Sequence, residues 1–204
     1  MRNALLLLAA ALLLQACTSP TKDEVTAAEA TGSFDAIGFH LDSYKDKCNQ
    51  SDGESCTVIG EYYKLVKQDY IMANEYFTKG CVFNDGLGCS NLGALFEQGL
   101  GVNKDLVIAK TFYSKGCNVN NGLACFYLGN LYAQGLGVSQ NYETANSLFA
   151  KGCDLNDMYA CNFLGVSFAN GYALKKDLAL ARELYDKSCK MGFVTACENY
   201  KALH

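Results

Sequence analysis

Apolar residues recur at helical spacing through most of the chain, and short glycine-rich or polar stretches interrupt them. In one segment, Cys125, Leu128 and Tyr132 follow one another at steps of three and four residues, which places them on one face of a helix. A Gly-Leu-Gly sequence then breaks the pattern, and Tyr142 and Ala145 resume it. The pattern predicts two helices joined by a glycine turn.

This pair of helices is repeated along the chain, and ten cysteines mark the repeat. They form five pairs whose members are eight residues apart: Cys48 and Cys56, Cys81 and Cys89, Cys117 and Cys125, Cys153 and Cys161, and Cys189 and Cys197. The pairs start 33, 36, 36 and 36 residues apart, so the repeat is 36 residues long with one shortened unit.

Three further columns keep this register and predict how the helices pack. A glycine follows the second cysteine by four residues, at Gly60, Gly93, Gly129 and Gly165. An aromatic residue precedes the next pair by four residues, at Phe77, Tyr113, Phe149 and Tyr185. Because a glycine inside a helix costs about 1 kcal/mol relative to alanine, we expect it to permit the close approach of a bulky aromatic side chain. A second aromatic column is expected in the core: Tyr63, Phe96, Tyr132 and Phe168.

The ends of the second helix of each unit carry typical signals. Its start is predicted at Asp69, Asp105, Asn141 and Asp177, which are good N-cap residues. Its end is predicted in three units at Lys-Gly, with the lysine beside the helix's own last carbonyls and the glycine in a left-handed conformation. A turn over residues 118–122 would follow, and Cys125 would begin the next helix. The unit 48–80 lacks Gly-Leu-Gly, so its turn must be tighter.

A single hairpin of this size cannot bury its own apolar face, so successive hairpins must stack. The predicted fold is therefore all-α, an αα-hairpin solenoid with a disulfide in each repeat. The predicted domain covers residues 34–204. It consists of a capping helix at 34–47, repeats at about 48–80, 81–116, 117–152 and 153–188, and a C-terminal helix at 189–204.

Two pairings of the cysteines are geometrically sensible. Cys117 can pair with Cys125 across the loop between hairpins, or Cys125 can pair with Cys153 across the open end of one hairpin. The second scheme leaves Cys48 and Cys197 unpaired, whereas the first pairs all ten, so we predict the eight-apart disulfides.

Zinc sites and thioredoxin-like chemistry both favour C-x-x-C spacing, so we predict no metal and no other cofactor.

The first residues predict export. Arg2 precedes a run of eleven apolar residues that ends at Leu14, the layout of a secretory signal and too short to span a bilayer comfortably. The run leads into Leu-Gln-Ala-Cys, which resembles the lipobox cut by bacterial lipoprotein signal peptidase. This resemblance implies removal of residues 1–16 and lipidation of Cys17; the alternative is an ordinary cleaved signal. Residues 17–33 are polar and are predicted to form a tether. We expect a protein lipid-anchored in the cell envelope, in the periplasm or at the outer membrane, or secreted.

Charge narrows the range of partners. With 17 Lys+Arg against 21 Asp+Glu the chain is mildly acidic, and no basic run is dense enough to follow a phosphate backbone. We therefore expect no nucleic acid partner. Membrane association is expected through the lipid anchor only, and the protein is expected to be a monomer.

The pattern L-G-x-L-Y-x-x-G-x-G-V, completed by A-x-x-x-F-x-K-G-C, resembles the Sel1-like repeat family, a relative of the tetratricopeptide repeat. The eight-apart cysteines narrow the resemblance to the Helicobacter cysteine-rich proteins, over residues from about 34 to 204. This resemblance implies an αα superhelix with a concave face. It also implies that the protein binds penicillin and has weak β-lactamase activity. No catalytic residue can be named. The one S-x-x-K sequence, Ser19 to Lys22, lacks the partner motifs of serine β-lactamases, and His40 and His204 cannot build a zinc site alone.

The alternative is a non-catalytic binding module. Solenoids commonly take extended ligands on a concave surface, here a peptide, a peptidoglycan fragment, a β-lactam or a protein partner. Positions two, five and nine after the second cysteine lie off the core stripe of the first helix and are expected to line that surface. The candidate binding residues are Asn91, Gln98, Tyr127, Asn130, Gln134, Phe163 and Asn170, with Ala94 and Val166 in the same columns.

Overall fold

The computed structural model describes residues 40–203. Within them ten α-helices follow one another: α1 Leu41–Asn49, α2 Gly53–Tyr62, α3 Tyr70–Val82, α4 Gly86–Gln98, α5 Leu106–Asn118, α6 Gly122–Gln134, α7 Tyr142–Asp154, α8 Met158–Asn170, α9 Leu178–Lys190 and α10 Val194–Ala202. A π-helical segment, Tyr63–Lys67, extends α2. No helix of this described part is long and apolar enough to cross a membrane. The signal segment, Cys17, the tether and the first residues of the predicted capping helix lie outside the described residues.

From Tyr44 onward the described chain forms one compact unit of stacked hairpins. Helix α2 pairs with α3, α4 with α5, α6 with α7, and α8 with α9, and each first helix also packs on the second helix of the preceding hairpin. First helices of successive hairpins contact one another as well. The predicted all-α solenoid is therefore confirmed.

Five disulfide clasps fasten each second helix to the first helix that follows it. They are Cys48–Cys56, Cys81–Cys89, Cys117–Cys125, Cys153–Cys161 and Cys189–Cys197, with Cα atoms 4.4–4.8 Å apart. Both cysteines of the first four clasps are buried. The eight-apart pairing is confirmed, and the alternative pairing of Cys125 with Cys153 is wrong.

The turns inside the hairpins follow the predicted signals. Helices α4, α6 and α8 end at Gly99, Gly135 and Gly171, which adopt the left-handed conformation with φ between 70° and 77°. The first hairpin has no such glycine. Its π-helical segment leads directly to Gln68, which takes the left-handed conformation at φ 53°, and α3 begins two residues later. The tighter first turn is confirmed.

The second helices begin where predicted. Asp69, Asp105, Asn141 and Asp177 precede α3, α5, α7 and α9, and each side chain accepts a hydrogen bond from a backbone N–H two or three residues further on. Each cap thereby satisfies a donor that the start of a helix leaves without an intrahelical partner.

The predicted ends of the second helices at Lys-Gly are wrong. Helices α3, α5 and α7 continue for two further residues, and the left-handed residues after them are Asn84, Asn120 and Asn156. The glycine serves packing instead, since a Cβ on Gly116 would lie 2.7 Å from the Cβ of Ala124 in the next first helix. Its missing side chain lets consecutive hairpins approach closely beside the clasp.

Helix boundaries at the clasps also differ from the prediction. Helix α6 begins at Gly122 rather than at Cys125, because the side chain of Asn121 accepts a hydrogen bond from a backbone N–H of the first turn. The last helix likewise begins at Val194, and Cys189 belongs to the end of α9. Each clasp therefore joins the last turn of one helix to the first turn of the next.

Within each hairpin an aromatic ring lies against a glycine, as predicted. A Cβ on Gly129 would lie 2.7 Å from the ring of Phe149. The contact is repeated in the other hairpins by Gly60 and Phe77, Gly93 and Tyr113, and Gly165 and Tyr185. The second aromatic column, Tyr63, Phe96, Tyr132 and Phe168, packs against the buried clusters. Both packing predictions are confirmed.

Candidate binding face

The predicted binding residues lie on α4, α6 and α8, the first helices of three consecutive hairpins. We call this set the first-helix face: Asn91, Gln98, Tyr127, Asn130, Gln134, Phe163 and Asn170. Because these three helices contact their neighbours directly, the set forms one surface. Its members fall into three columns, at positions two, five and nine after the second cysteine of each pair, and the columns differ in how exposed they are to a ligand.

Asn91, two residues after its second cysteine, lies between neighbouring first helices. Its Oδ1 accepts a hydrogen bond from Lys64 Nζ at 3.1 Å, and its Nδ2 donates to Glu61 Oε1 at 3.4 Å. Both partners belong to α2 and its π-helical extension. Asn91 therefore joins two repeats at one end of the first-helix face.

The two aromatic members of the same column are half-buried. Tyr127 stacks on Tyr113 with ring centroids 5.1 Å apart. Phe163 packs against Phe126 and Phe149, with centroids 5.2 and 5.7 Å away. These rings belong mainly to the core and offer a ligand less surface than the amides do.

The remaining columns bring amides to the surface. Gln98, Gln134 and Asn170 are exposed at the C-terminal ends of three successive first helices. Gln134 Nε2 donates to Asn130 Oδ1 at 2.6 Å, and Asn170 Nδ2 donates to a backbone carbonyl of its own helix at 2.9 Å. These contacts leave further donor and acceptor capacity on every amide.

A partly buried polar pair joins α4 and α5 behind this face. Tyr113 Oη donates to Glu97 Oε2 at 2.5 Å, and the Tyr113 side chain is fully buried. Burial, followed by this hydrogen bond, raises the pKa of Tyr113, and burial also raises the pKa of Tyr127. Both phenols are therefore neutral at physiological pH. Sequence reasoning missed the pair, although Glu97 holds a position occupied by Ala133 and Ala169 in the next two units.

The sequence also did not reveal that two lysines would bind backbone carbonyls of the preceding repeat. Lys151 Nζ donates to the carbonyl oxygen of Cys117 at 2.8 Å, and Lys187 Nζ donates to that of Cys153 at 2.7 Å. Each lysine thus binds the end of the preceding second helix, where carbonyls lack intrahelical partners. The prediction had placed Lys151 beside the last carbonyls of its own helix.

Four segments of the chain match the family model of the Sel1 repeat: residues 56–81, 86–121, 122–157 and 159–193. Together they cover more than half of the chain. The chain belongs to the Sel1 repeat family. Each match spans one hairpin or most of one, so the sequence repeat and the structural repeat coincide.

Two Helicobacter pylori proteins resemble this Sel1 repeat protein. "Beta-lactamase HcpA" of strain J99 is 47% identical over 38 residues, which are 19% of this chain and 15% of HcpA. The structure of the Helicobacter pylori cysteine rich protein B has 32% identity and a TM-score of 0.52, and the match covers 63% of this chain and 95% of that one. The resemblance to the Helicobacter cysteine-rich proteins is therefore confirmed.

A third similar structure is c5321, described as a protective antigen present in uropathogenic Escherichia coli strains and displaying an SLR fold. It has 26% identity and a TM-score of 0.69, over 80% of this chain and 36% of the antigen. This Sel1 repeat protein thus spans only a minor part of HcpA and of c5321. Five disulfides and the similarity to the Helicobacter proteins indicate an exported protein.

The described residues of this Sel1 repeat protein contain no group of three or more His, Cys, Asp or Glu side chains placed to hold a metal ion. The sequence Ser19 to Lys22 lies outside them.

A pocket of about 290 Å³ lies between α9 and α10, away from the first-helix face. It is lined by Ala179, Arg182, Glu183, Asp186 and Tyr200. The Arg182 guanidinium lies 5.3 Å from the Tyr200 ring centroid, so its charge already faces an aromatic partner.

Proposed function

We propose that this Sel1 repeat protein is an exported binding module whose first-helix face takes an extended peptide, from a peptidoglycan stem or from a partner protein. The observation that carries the proposal is the row of Gln98, Gln134 and Asn170, exposed at the same position of three successive first helices. Solenoids of stacked hairpins present such extended surfaces to their partners.

The spacing of the row suits an extended peptide. Packed helices lie roughly 8–10 Å apart, which is about the length of three extended residues at ~3.3 Å each. A peptide laid across the first helices would therefore meet a new amide about every third residue. Because carboxamides both donate and accept hydrogen bonds, they complement the N–H and C=O groups of a peptide backbone.

The charge distribution favours neutral contacts in the middle of the face. Glu61 and Lys64 lie at one end, where Asn91 binds both. Glu97 is bound by Tyr113. The four amides from Gln98 to Asn170 are uncharged, so we expect ligand binding to depend only weakly on salt concentration.

Calorimetric titration of the full chain with a synthetic peptidoglycan stem peptide, and with an uncharged extended peptide of equal length, tests the proposal. The double variant Asn130→Ala with Gln134→Ala should weaken binding by roughly thirtyfold, since two lost hydrogen bonds at about 1 kcal/mol each remove about 2 kcal/mol. The control Asn103→Ala removes an exposed amide from the α4–α5 loop and should change nothing. Binding of neither peptide, or equal weakening by the control, contradicts the proposal.

We also propose that the mature protein begins at a lipidated Cys17. Support comes from the lipobox-like sequence before Cys17 and from the disulfides, which form in oxidising compartments outside the cytoplasm. Mass spectrometry of the membrane fraction of expressing cells should find an acylated N-terminal peptide that starts at Cys17, and Cys17→Ser should lose the acyl mass. An unmodified N-terminus at another residue would favour the ordinary cleaved signal.

A second candidate function is weak hydrolysis of β-lactams. The observation in its favour is the similarity to a protein named β-lactamase over 38 residues. The test is nitrocefin hydrolysis by refolded chain freed of contaminating enzymes. Saturable turnover in proportion to the concentration of the chain supports the enzymatic function. If no such turnover is found, the binding function is favoured.

A further inference from the structure

We propose that the terminal clasp, Cys189–Cys197, is a redox switch, which a dithiol reductant opens while the other four clasps stay closed. Opening frees α10 from the end of the stacked hairpins. The inference goes beyond the peptide-binding proposal and does not depend on it, because it concerns only the chemistry of this disulfide and the attachment of α10.

The terminal clasp differs from the other clasps in its exposure. All eight cysteines of the first four clasps are at most 3% exposed, whereas Cys189 and Cys197 are only partly buried. A Cβ on Gly192, in the turn that this clasp closes, would meet no atom of the described chain within 4 Å apart from its neighbours in sequence. Because an attacking thiolate must reach a sulfur atom, this exposure favours reduction of the terminal clasp.

Earlier clasps are covered by the hairpin that follows them. Lys187 Nζ donates a hydrogen bond to the carbonyl oxygen of Cys153 at 2.7 Å, and Lys151 does the same at the clasp before it. No helix of the described residues follows α10 in this way. Lys201 of α10 also holds the position at which Gly165 receives an aromatic ring in α8, so this helix is not built to pair with another second helix.

Helix α10 has few attachments besides the clasp. Ala196 is its single buried residue, whereas α8, the preceding first helix, buries six. The N-cap residue of α10, Phe193, forms no capping hydrogen bond through its side chain, and the helix is only nine residues long. The contact between Arg182 and Tyr200 is exposed and contributes little. Since isolated helices of this length are marginal in water, α10 depends on the clasp for its place.

Opening of the clasp changes the end of the row of first helices. Asn199 Nδ2 donates to Asn162 Oδ1 of α8 at 3.0 Å, and the Phe193 ring lies edge-on to Tyr159 with centroids 5.0 Å apart. These contacts bring α10 against α8. When α10 leaves, the amide of Asn162 and one edge of the Tyr159 ring become accessible, and the row is shorter by one helix.

The reaction is thiol–disulfide exchange. One thiolate of the dithiol attacks Cys189 Sγ, the bond between the two clasp sulfurs breaks, and Cys197 leaves as a thiolate. Cys197 lies in the first turn of α10, where the helix N-terminus stabilises negative charge. The second thiolate of the reductant then attacks the mixed disulfide and releases Cys189. The dithiol is thereby oxidised to a disulfide, and the clasp takes up two electrons and two protons.

Timed reduction of the folded full chain with dithiothreitol, followed by alkylation and peptide mass mapping, tests the selectivity. Cys153–Cys161 is the matched control, because it has the same spacing one repeat earlier and both of its cysteines are buried. Buried disulfides react only after local opening, so Cys189 and Cys197 should be alkylated at least roughly tenfold faster. Reduction of all five clasps at one rate, or of another clasp first, would overturn the proposal.

Hydrogen exchange of the selectively reduced chain tests the release of α10. Exchange should rise by roughly tenfold or more in α10 and stay unchanged in α6 and α7, and reoxidation should restore the original rates. Cys189→Ser with Cys197→Ser should show the fast exchange without any reductant and should not respond to reoxidation. Unchanged exchange in α10 after reduction, or fast exchange that persists after reoxidation, would show that the clasp is not a switch.

Discussion

Lys151 reaches back one repeat and donates a 2.8 Å hydrogen bond to the backbone carbonyl oxygen of Cys117, whose side chain forms the clasp with Cys125. The disulfide joins α5 to α6, and the lysine joins α5 to α7. Three consecutive helices are thereby fastened at one point. Lys187 repeats the arrangement at Cys153 with a distance of 2.7 Å.

Replacement of this lysine should destabilise the solenoid. Lys151→Met keeps most of the aliphatic stem but leaves the Cys117 carbonyl without its charged donor, and we expect the free energy of unfolding to fall by about 1.5–3 kcal/mol. Lys190→Met is the control, because Lys190 forms an exposed i,i+4 ion pair with Asp186, and exposed pairs of this kind contribute little to stability. Urea denaturation measures both. Equal effects of the two changes would contradict a special role for Lys151.

Loss of a central clasp should also lower stability. Cys117→Ser with Cys125→Ser opens a short loop, and we expect a loss of roughly 2–3 kcal/mol by loop-entropy reasoning. The same change at Cys189 and Cys197 should act locally, because this clasp holds only α10 to the preceding hairpin. Hydrogen exchange should then rise in α10 alone. Exchange that rises throughout the protein would show that the terminal clasp has a global role.

Gly129→Ala tests the packing of the hairpins. Alanine favours a helix by about 1 kcal/mol over glycine, yet the added Cβ would lie 2.7 Å from the Phe149 ring. We expect the cost of overpacking to exceed the gain in helix propensity, so that the free energy of unfolding falls by about 1–3 kcal/mol. Phe149→Leu should relieve the clash, so the double variant should be more stable than the sum of the single effects predicts. A stabilising Gly129→Ala would show that the contact is loose.

Asp157 should make stability depend on pH. Burial raises the pKa of this carboxyl above its ordinary value of 3.8, despite the backbone hydrogen bonds that lower it. The folded state therefore holds the proton more tightly than the unfolded state. The resulting stabilisation is complete below the ordinary value and is lost as pH rises through the folded pKa, so the ionised form is unfavourable near neutrality.

Asp157→Asn should remove this cost while preserving the cap, since Asn121 caps α6 in the same way. We expect stability at pH 7 to rise and its decline with increasing pH to flatten. Thermal melts between pH 4 and 8 measure both. The reciprocal change Asn121→Asp should act in the opposite sense, and a lower stability of Asp157→Asn at pH 7 would refute the explanation.

The repeat, the clasps, the N-caps and the glycine–aromatic contacts were predictable, because each depends on residues at fixed spacing along the chain. Gly116 and Lys151 were interpreted wrongly for one shared reason. A Lys-Gly pair is typical of a helix end, but here both residues act on neighbouring helices, and spacing within one helix gives no information about contacts between helices. The hydrogen bond between Tyr113 and Glu97 was missed for the same reason, because it joins two different helices.

The first-helix face was predicted only in part. The exposed amides Gln98, Gln134 and Asn170 lie off the core stripe, as helical periodicity indicated. Tyr127 and Phe163 lie half-buried among other aromatic rings. Periodicity places a residue on a side of its helix, but the bulk of its neighbours decides how far a large ring is covered.

The central claim, that the first-helix face binds an extended peptide, is tested most directly by nuclear magnetic resonance. Isotope-labelled full chain would be titrated with the synthetic stem peptide, and the side-chain amide signals would be followed. The account predicts saturable shifts at Gln98, Asn130, Gln134 and Asn170, with the signals around Arg182 and Tyr200 unchanged. Shifts confined to the pocket between α9 and α10, or none at saturating peptide, would contradict it.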